Sequence, residues 1–170
     1  MATKLTHKQR IEKAHIAIMR NRDWVWLAPT CLIGTVHITD DIPTAATDGR
    51  DVLYSPTFLD KLNDAQVRAT VIHENMHKAF RHMRVYQYLN ERHKDNPHIV
   101  NMAMDFVINR HIKAASPFLE CWDGVIEYCH NDKYKDEAVW DTPRVLDDLL
   151  ENPPQGGQKG GNGSQDGHDW

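Results

Sequence analysis

The residues His73-Glu74-Asn75-Met76-His77 spell H-E-x-x-H, a spacing with a definite chemistry. On an α-helix, side chains four apart stand on one face. His73 and His77 therefore present two imidazoles to the same point, as two ligands for one Zn²⁺. Glu74 lies about 100° further round the helix axis, outside that coordination shell. It can act as general base on a water that the metal activates. Two ligands and a base in so short a stretch form the opening of a zinc peptidase site, with a peptide or protein as substrate.

A catalytic zinc site commonly has three protein ligands and an open position. The candidates for the third are His82, Asp105, His98 and His111. His82 is near in sequence, but on an unbroken helix it lies about 900° from His73, half a turn out of phase, and about 13 Å further along the axis. No glycine stands between His77 and His82 to break the helix, which argues against His82 and leaves it only as the alternative third ligand. Asp105 fits better. It sits in the apolar run Met102-Ala103-Met104-Asp105-Phe106-Val107-Ile108, where a carboxylate is costly unless paired or metal-bound. Asn101 and Asn109 fall at i−4 and i+4 from it, making a polar stripe on a buried helix. Both are candidates for outer partners that orient a ligand. His98 and His111, at the start and end of that helix, read as ordinary surface histidines.

The elements that must carry these residues are legible from caps and periodicity. Thr6 opens an amphipathic helix with Gln9 as its reciprocal capping residue, and Ile11, Ala14 and Ile18 share its apolar face to about Arg22. The segment from Cys31 to Ile38 is apolar and β-branched, an edge-strand candidate for aligning a substrate backbone. Thr47-Asp48-Gly49-Arg50 reads as a turn and Val52-Leu53-Tyr54 as a short strand. Asn63 with Gln66 caps a long central helix that carries the H-E-x-x-H and, with no Gly or Pro to stop it, is expected to run to about Leu89. A charged loop over Asn90 to Asp95 follows. Asn96-Pro97 starts the helix of Asp105, which ends before Ser116-Pro117. A short helix with Thr142 as cap is expected from Asp141 to Leu150. The expected fold class is α+β: a mainly helical domain over 1–151 with a small β-sheet and the H-E-x-x-H on a long central helix, then a flexible Gly-rich tail over 152–170.

Composition narrows the function classes. The chain has 170 residues, 41% hydrophobic and 26% charged, enough for one domain with a core. The formal charge is −4, and no basic block points to a nucleic-acid partner. No apolar run spans a bilayer, and the polar N-terminus lacks a signal-peptide core, so a cytoplasmic location without membrane partners is expected. Cys31, Cys121 and Cys129 form no C-x-x-C pair and read as reduced thiols.

Several of these segments, taken in order, carry a resemblance. Thr47-Asp48-Gly49-Arg50, Leu53-Tyr54-Ser55-Pro56, the H-E-x-x-H with Arg81-His82-Met83-Arg84, and Asn101-Met102-Ala103-Met104-Asp105 with Ile108-Asn109 resemble the metallopeptidase domain that precedes VWA-like domains in bacterial and phage proteins. The resemblance covers roughly 10–150. It implies a zincin-like fold, zinc-dependent peptide hydrolysis, a VWA-like or ATPase partner, and metal ligation by His73, His77 and, by position, Asp105, with Glu74 catalytic. This sequence departs from the pattern at Met102-Ala103-Met104, where the family often has smaller residues. The alternative function is a non-catalytic, zinc-stabilised interaction module, such as a phage regulatory protein. Phenols at Tyr54, Tyr86 and Tyr88 are candidate oxyanion donors.

Overall fold

A computed structural model of the chain describes residues 5–153. They form seven α-helices and a three-stranded sheet, a mainly helical α+β arrangement as expected. Apart from the two residues 152 and 153, the expected tail lies outside the described residues. In chain order the elements are α1 (His7–Arg20), α2 (Ala28–Cys31), β1 (Val36–Ile38), β2 (Ala45–Thr47), β3 (Val52–Tyr54), α3 (Pro56–Leu59), α4 (Asp64–Ala79), α5 (His82–Arg92), α6 (Pro97–Ala114) and α7 (Thr142–Glu151). No helix among the described residues is long and apolar enough to cross a membrane.

Local chemistry explains most boundaries. Thr6 and Gln9 close the expected capping box on α1, and Ile11, Ala14 and Ile18 are its buried residues. Asn63 and Gln66 do the same for α4, satisfying two backbone donors that the first helical turn leaves without partners. Asp141, not Thr142, caps α7: its carboxylate accepts from the Arg144 N–H. Asn96 precedes Pro97 at the start of α6, but its side chain makes no capping bond. Helix α5 continues to Arg92, through the start of the segment expected to be a loop.

Two expectations are corrected. The strand expected from Cys31 is only Val36–Ile38, because Cys31 closes the short helix α2, which carries Pro29 in its first turn. Gly34 then adopts φ +79°, and a Cβ there would lie 2.0 Å from the Arg50 carbonyl oxygen. The chain can approach the 48–51 turn that closely only with glycine. The second correction concerns α4, which ends at Ala79 instead of running to Leu89. Arg81 takes the left-handed conformation (φ 55°, ψ 39°) and α5 starts afresh at His82. The packing of Met83 on Gly49, in the turn after β2, helps to place that second helix.

The sheet order is β1-β3-β2, with β1 parallel and β2 antiparallel to β3. Strand β2 was not foreseen beyond the turn that follows it. All three of its residues are buried, whereas His37 and Ile38 of β1 are exposed. Two apolar clusters build the core. One joins α1, the sheet, α3 and α4 with Ile108 and Ile112 of α6. The other joins α5, α6 and α7 through Val100, Ala103, Met104, Val107, Val145 and Leu149. Helix α6 thus belongs to both clusters, and its polar stripe is left facing α4.

Candidate metal centre

On α4, His73 and His77 stand side by side, with ring centroids 4.7 Å apart and Nε2 atoms 3.0 Å apart. From α6, Asp105 brings Oδ1 to 3.6 Å from His73 Nε2 and 3.3 Å from His77 Nε2. All three residues are buried, and their candidate ligand atoms lie within 4.8 Å of one another. The spacing can be compared with what an ion needs. Ligands about 2.0–2.1 Å from a tetrahedral Zn²⁺ stand about 3.3 Å from each other. The three separations, 3.0, 3.3 and 3.6 Å, bracket that value.

Hydrogen bonding around the cluster settles which electron pairs face inward. Asn109 donates through Nδ2 to the Cys129 carbonyl, 3.0 Å, which orients its amide. Its Oδ1 then faces His73 Nδ1 at 2.9 Å and can only accept. His73 must therefore carry its proton on Nδ1, leaving the Nε2 lone pair directed at Asp105 and His77. Asn101 donates to Asp105 Oδ2 at 3.4 Å, on the side away from the oxygen that meets the histidines. Both asparagines of the sequence stripe thus hold a cluster residue in place. Converging lone pairs in a buried site repel unless a cation or a proton lies between them. The donor set, two imidazoles and a carboxylate, is one that divalent transition metals accept.

His82 stands elsewhere than sequence phase suggested. The break at Arg81 folds α5 back, so that His82 Nδ1 lies 3.1 Å from His77 Nδ1. It touches the far side of the His77 ring and lies outside the His73, His77 and Asp105 group. Burial, and then the neighbouring His77 and His73, lower its pKa from 6.5 to about 2, so the ring is neutral. His98 is exposed at the start of α6, as read from sequence. His111 is half-buried, with Nδ1 3.7 Å from Glu137, and does not join the cluster.

Glu74 is 3% exposed and lines the same cleft as His73, Asp105 and Asn109. The cleft has room for about 60 Å³, enough for more than one water. Its walls are mostly residues that the sequence reading missed. Thr44 and Ala45 supply the β2 side, while Trp122, Ile126, Tyr128 and Cys129 come from an irregular segment after α6. The cleft-lining edge is therefore β2, not the expected Cys31–Ile38 segment. Trp122 donates from Nε1 to Thr70 Oγ1, 2.8 Å, and sets its ring edge-on to His73 at 5.8 Å. Aromatic residues in an otherwise unpatterned stretch were the one available signal for this wall. Of the phenols, Tyr54 is wholly buried and Tyr88 is 60% exposed, and neither they nor Tyr86 line the cleft. Tyr128 does. Burial, then its bond with Cys121, push its pKa upward, so it remains a protonated donor.

A family model described as a putative metallopeptidase domain matches residues 6–169. The chain belongs to that family. No curated protein and no solved structure matches it. In this member of the metallopeptidase-domain family, the group suited to a metal ion is the buried His73, His77 and Asp105.

Proposed function

We propose that this protein is a zinc-dependent peptidase whose metal would be held by His73, His77 and Asp105. The observation that carries this reading is the convergence of their ligand atoms from two helices beside the buried carboxylate of Glu74. A Zn²⁺ bound there supplies Lewis acidity, which acidifies water and polarises a carbonyl.

The remaining work falls to the chain itself. Glu74 accepts the proton of the attacking water and returns it to the leaving amine. Asn109 keeps His73 in the tautomer with its lone pair facing the cluster. Asn101 steadies Asp105 from its other oxygen. Among the described residues strand β2 lies at one edge of the sheet, and Ala45 lines the cleft, the side along which an extended substrate backbone would align. Tyr128, in the opposite wall, donates its hydroxyl proton to Asp123 Oδ1 at 3.0 Å and would turn that proton toward a developing oxyanion.

Glu74→Gln is the direct test. The variant should bind Zn²⁺ with wild-type stoichiometry and lose about 10²–10⁴-fold in hydrolysis of an unstructured protein substrate. Wild-type hydrolysis by this variant would remove Glu74 from the mechanism. A different outcome would favour the zinc-stabilised interaction module: no hydrolysis by either protein, with unfolding of both on chelation.

A further inference from the structure

The metal ligand His77 has a second face, and the fold takes trouble over it. Helix α4 stops at Ala79, well short of its expected end at Leu89, Arg81 accepts a left-handed backbone, and His82 is returned into the interior at 3% exposure. There its Nδ1 meets His77 Nδ1 at 3.1 Å, with ring centroids 5.0 Å apart and ring planes at 75°. Only one proton can occupy that contact, because two N–H groups would clash and two lone pairs would repel.

We propose that His82 is a positioning residue for His77: a buried imidazole whose Nδ1 accepts the His77 Nδ1–H and thereby turns the His77 Nε2 lone pair into the metal cluster. The inference rests on the metal-centre reading above, but not on peptidase activity. The tautomers follow from the geometry. Asn109 already obliges His73 to present a lone pair at Nε2. If His82 donated instead, His77 would carry its proton on Nε2, 3.0 Å from His73 Nε2 and in the space between the ligand atoms. Only with His77 as donor do all three ligands present electron pairs together. Metal-binding histidines ordinarily give their second N–H to a carboxylate, a carbonyl or water. Here a second histidine fills that place, and its own proton moves to Nε2.

The test reads metal binding and tautomers, not turnover. Zn²⁺ affinity is measured by competition with a chelating dye for the full chain and for His82→Phe and His82→Asn. Phe keeps a flat ring with no acceptor, whereas Asn Oδ1 replaces the Nδ1 acceptor. Phe should weaken Zn²⁺ binding about 10–100-fold. Asn should restore it to within a few-fold of wild type, with circular dichroism unchanged in the metal-free variants. Equal affinity of Phe and wild type overturns the proposal, as does an equal loss in Phe and Asn. Complete loss of bound zinc in both variants would make His82 a ligand, also overturning it. Should either variant fail to fold, ¹⁵N ring spectra of the zinc-loaded wild type decide. They should show His77 protonated at Nδ1 and His82 at Nε2, and the reverse assignment overturns the proposal. A wild type that shows this pattern yet cleaves no peptide removes the peptidase reading and leaves the role of His82 standing.

Discussion

At the scale of single residues, the centre depends on polar groups whose partners leave them one orientation. Asn109 is the clearest case, since one amide is held by a backbone carbonyl and in turn sets the tautomer of His73. Asn109→Ala should leave His73 Nδ1 and the Cys129 carbonyl without these bonds and weaken Zn²⁺ affinity about 10–100-fold, as measured by dye competition. A variant that binds as tightly as wild type would show that the ring is held by packing alone. Asp105 and its two flanking asparagines were legible because a carboxylate in an apolar helix needs compensation. Trp122 and Tyr128 were not, because irregular chain carries no period from which to infer a facing side chain.

At the scale of elements, the decisive feature is the interruption between α4 and α5. Continuous helix formers and the absence of Gly or Pro predicted one helix to Leu89, and local propensity was overruled. A non-glycine residue in the left-handed region costs on the order of 1–2 kcal/mol. The packing of Met83 against the Gly49 turn and the burial of His82 and Leu89 offset that cost. Arg81→Gly should therefore raise stability by about 0.5–1 kcal/mol in urea unfolding without changing metal affinity. A loss of stability would mean that the Arg81 side chain contributes more than its backbone strain costs. The strands show a related limit. Val52–Tyr54 was recognisable, but β2, Ala-Ala-Thr, has too little β-branched character to stand out. Its role comes from pairing with β3 and packing against α4.

At the scale of the whole molecule, the metal centre joins two apolar clusters, so its occupation should be felt globally. Zn²⁺ at about 1,000 times its Kd should stabilise the fold by about 4 kcal/mol, read as a rise in Tm that a chelator reverses. A Tm indifferent to Zn²⁺ would exclude tight binding at this centre. Helix α7 supports the same assembly from the other side of α6. Its Asp148 accepts from Lys133 at 2.6 Å and from the Tyr134 hydroxyl at 2.7 Å. Burial raises the Asp148 pKa, but these bonds outweigh it and hold it below the ordinary carboxylate value. A depressed folded pKa stabilises above the unfolded value and is lost as pH falls through the folded one. Asp148→Asn should thus be less stable than wild type by on the order of 1–2 kcal/mol at pH 7. The difference should shrink below about pH 4, and a pH-independent difference would contradict the assignment.

The sequence alone determined the two histidines, the Glu74 carboxylate beside them, the caps of α1 and α4, and the need of Asp105 for a partner. Each is a local property, set by helical spacing, by end effects or by the cost of burying a charge. Tertiary structure decided what depends on segments distant in sequence. It brought Asp105 onto the histidine pair, chose β2 for the cleft wall, and turned His82 from the alternative third ligand into a contact of His77. Helical phase can be counted along a chain only until the helix breaks. The break at Arg81 is held by packing against residues that no local pattern connects to it.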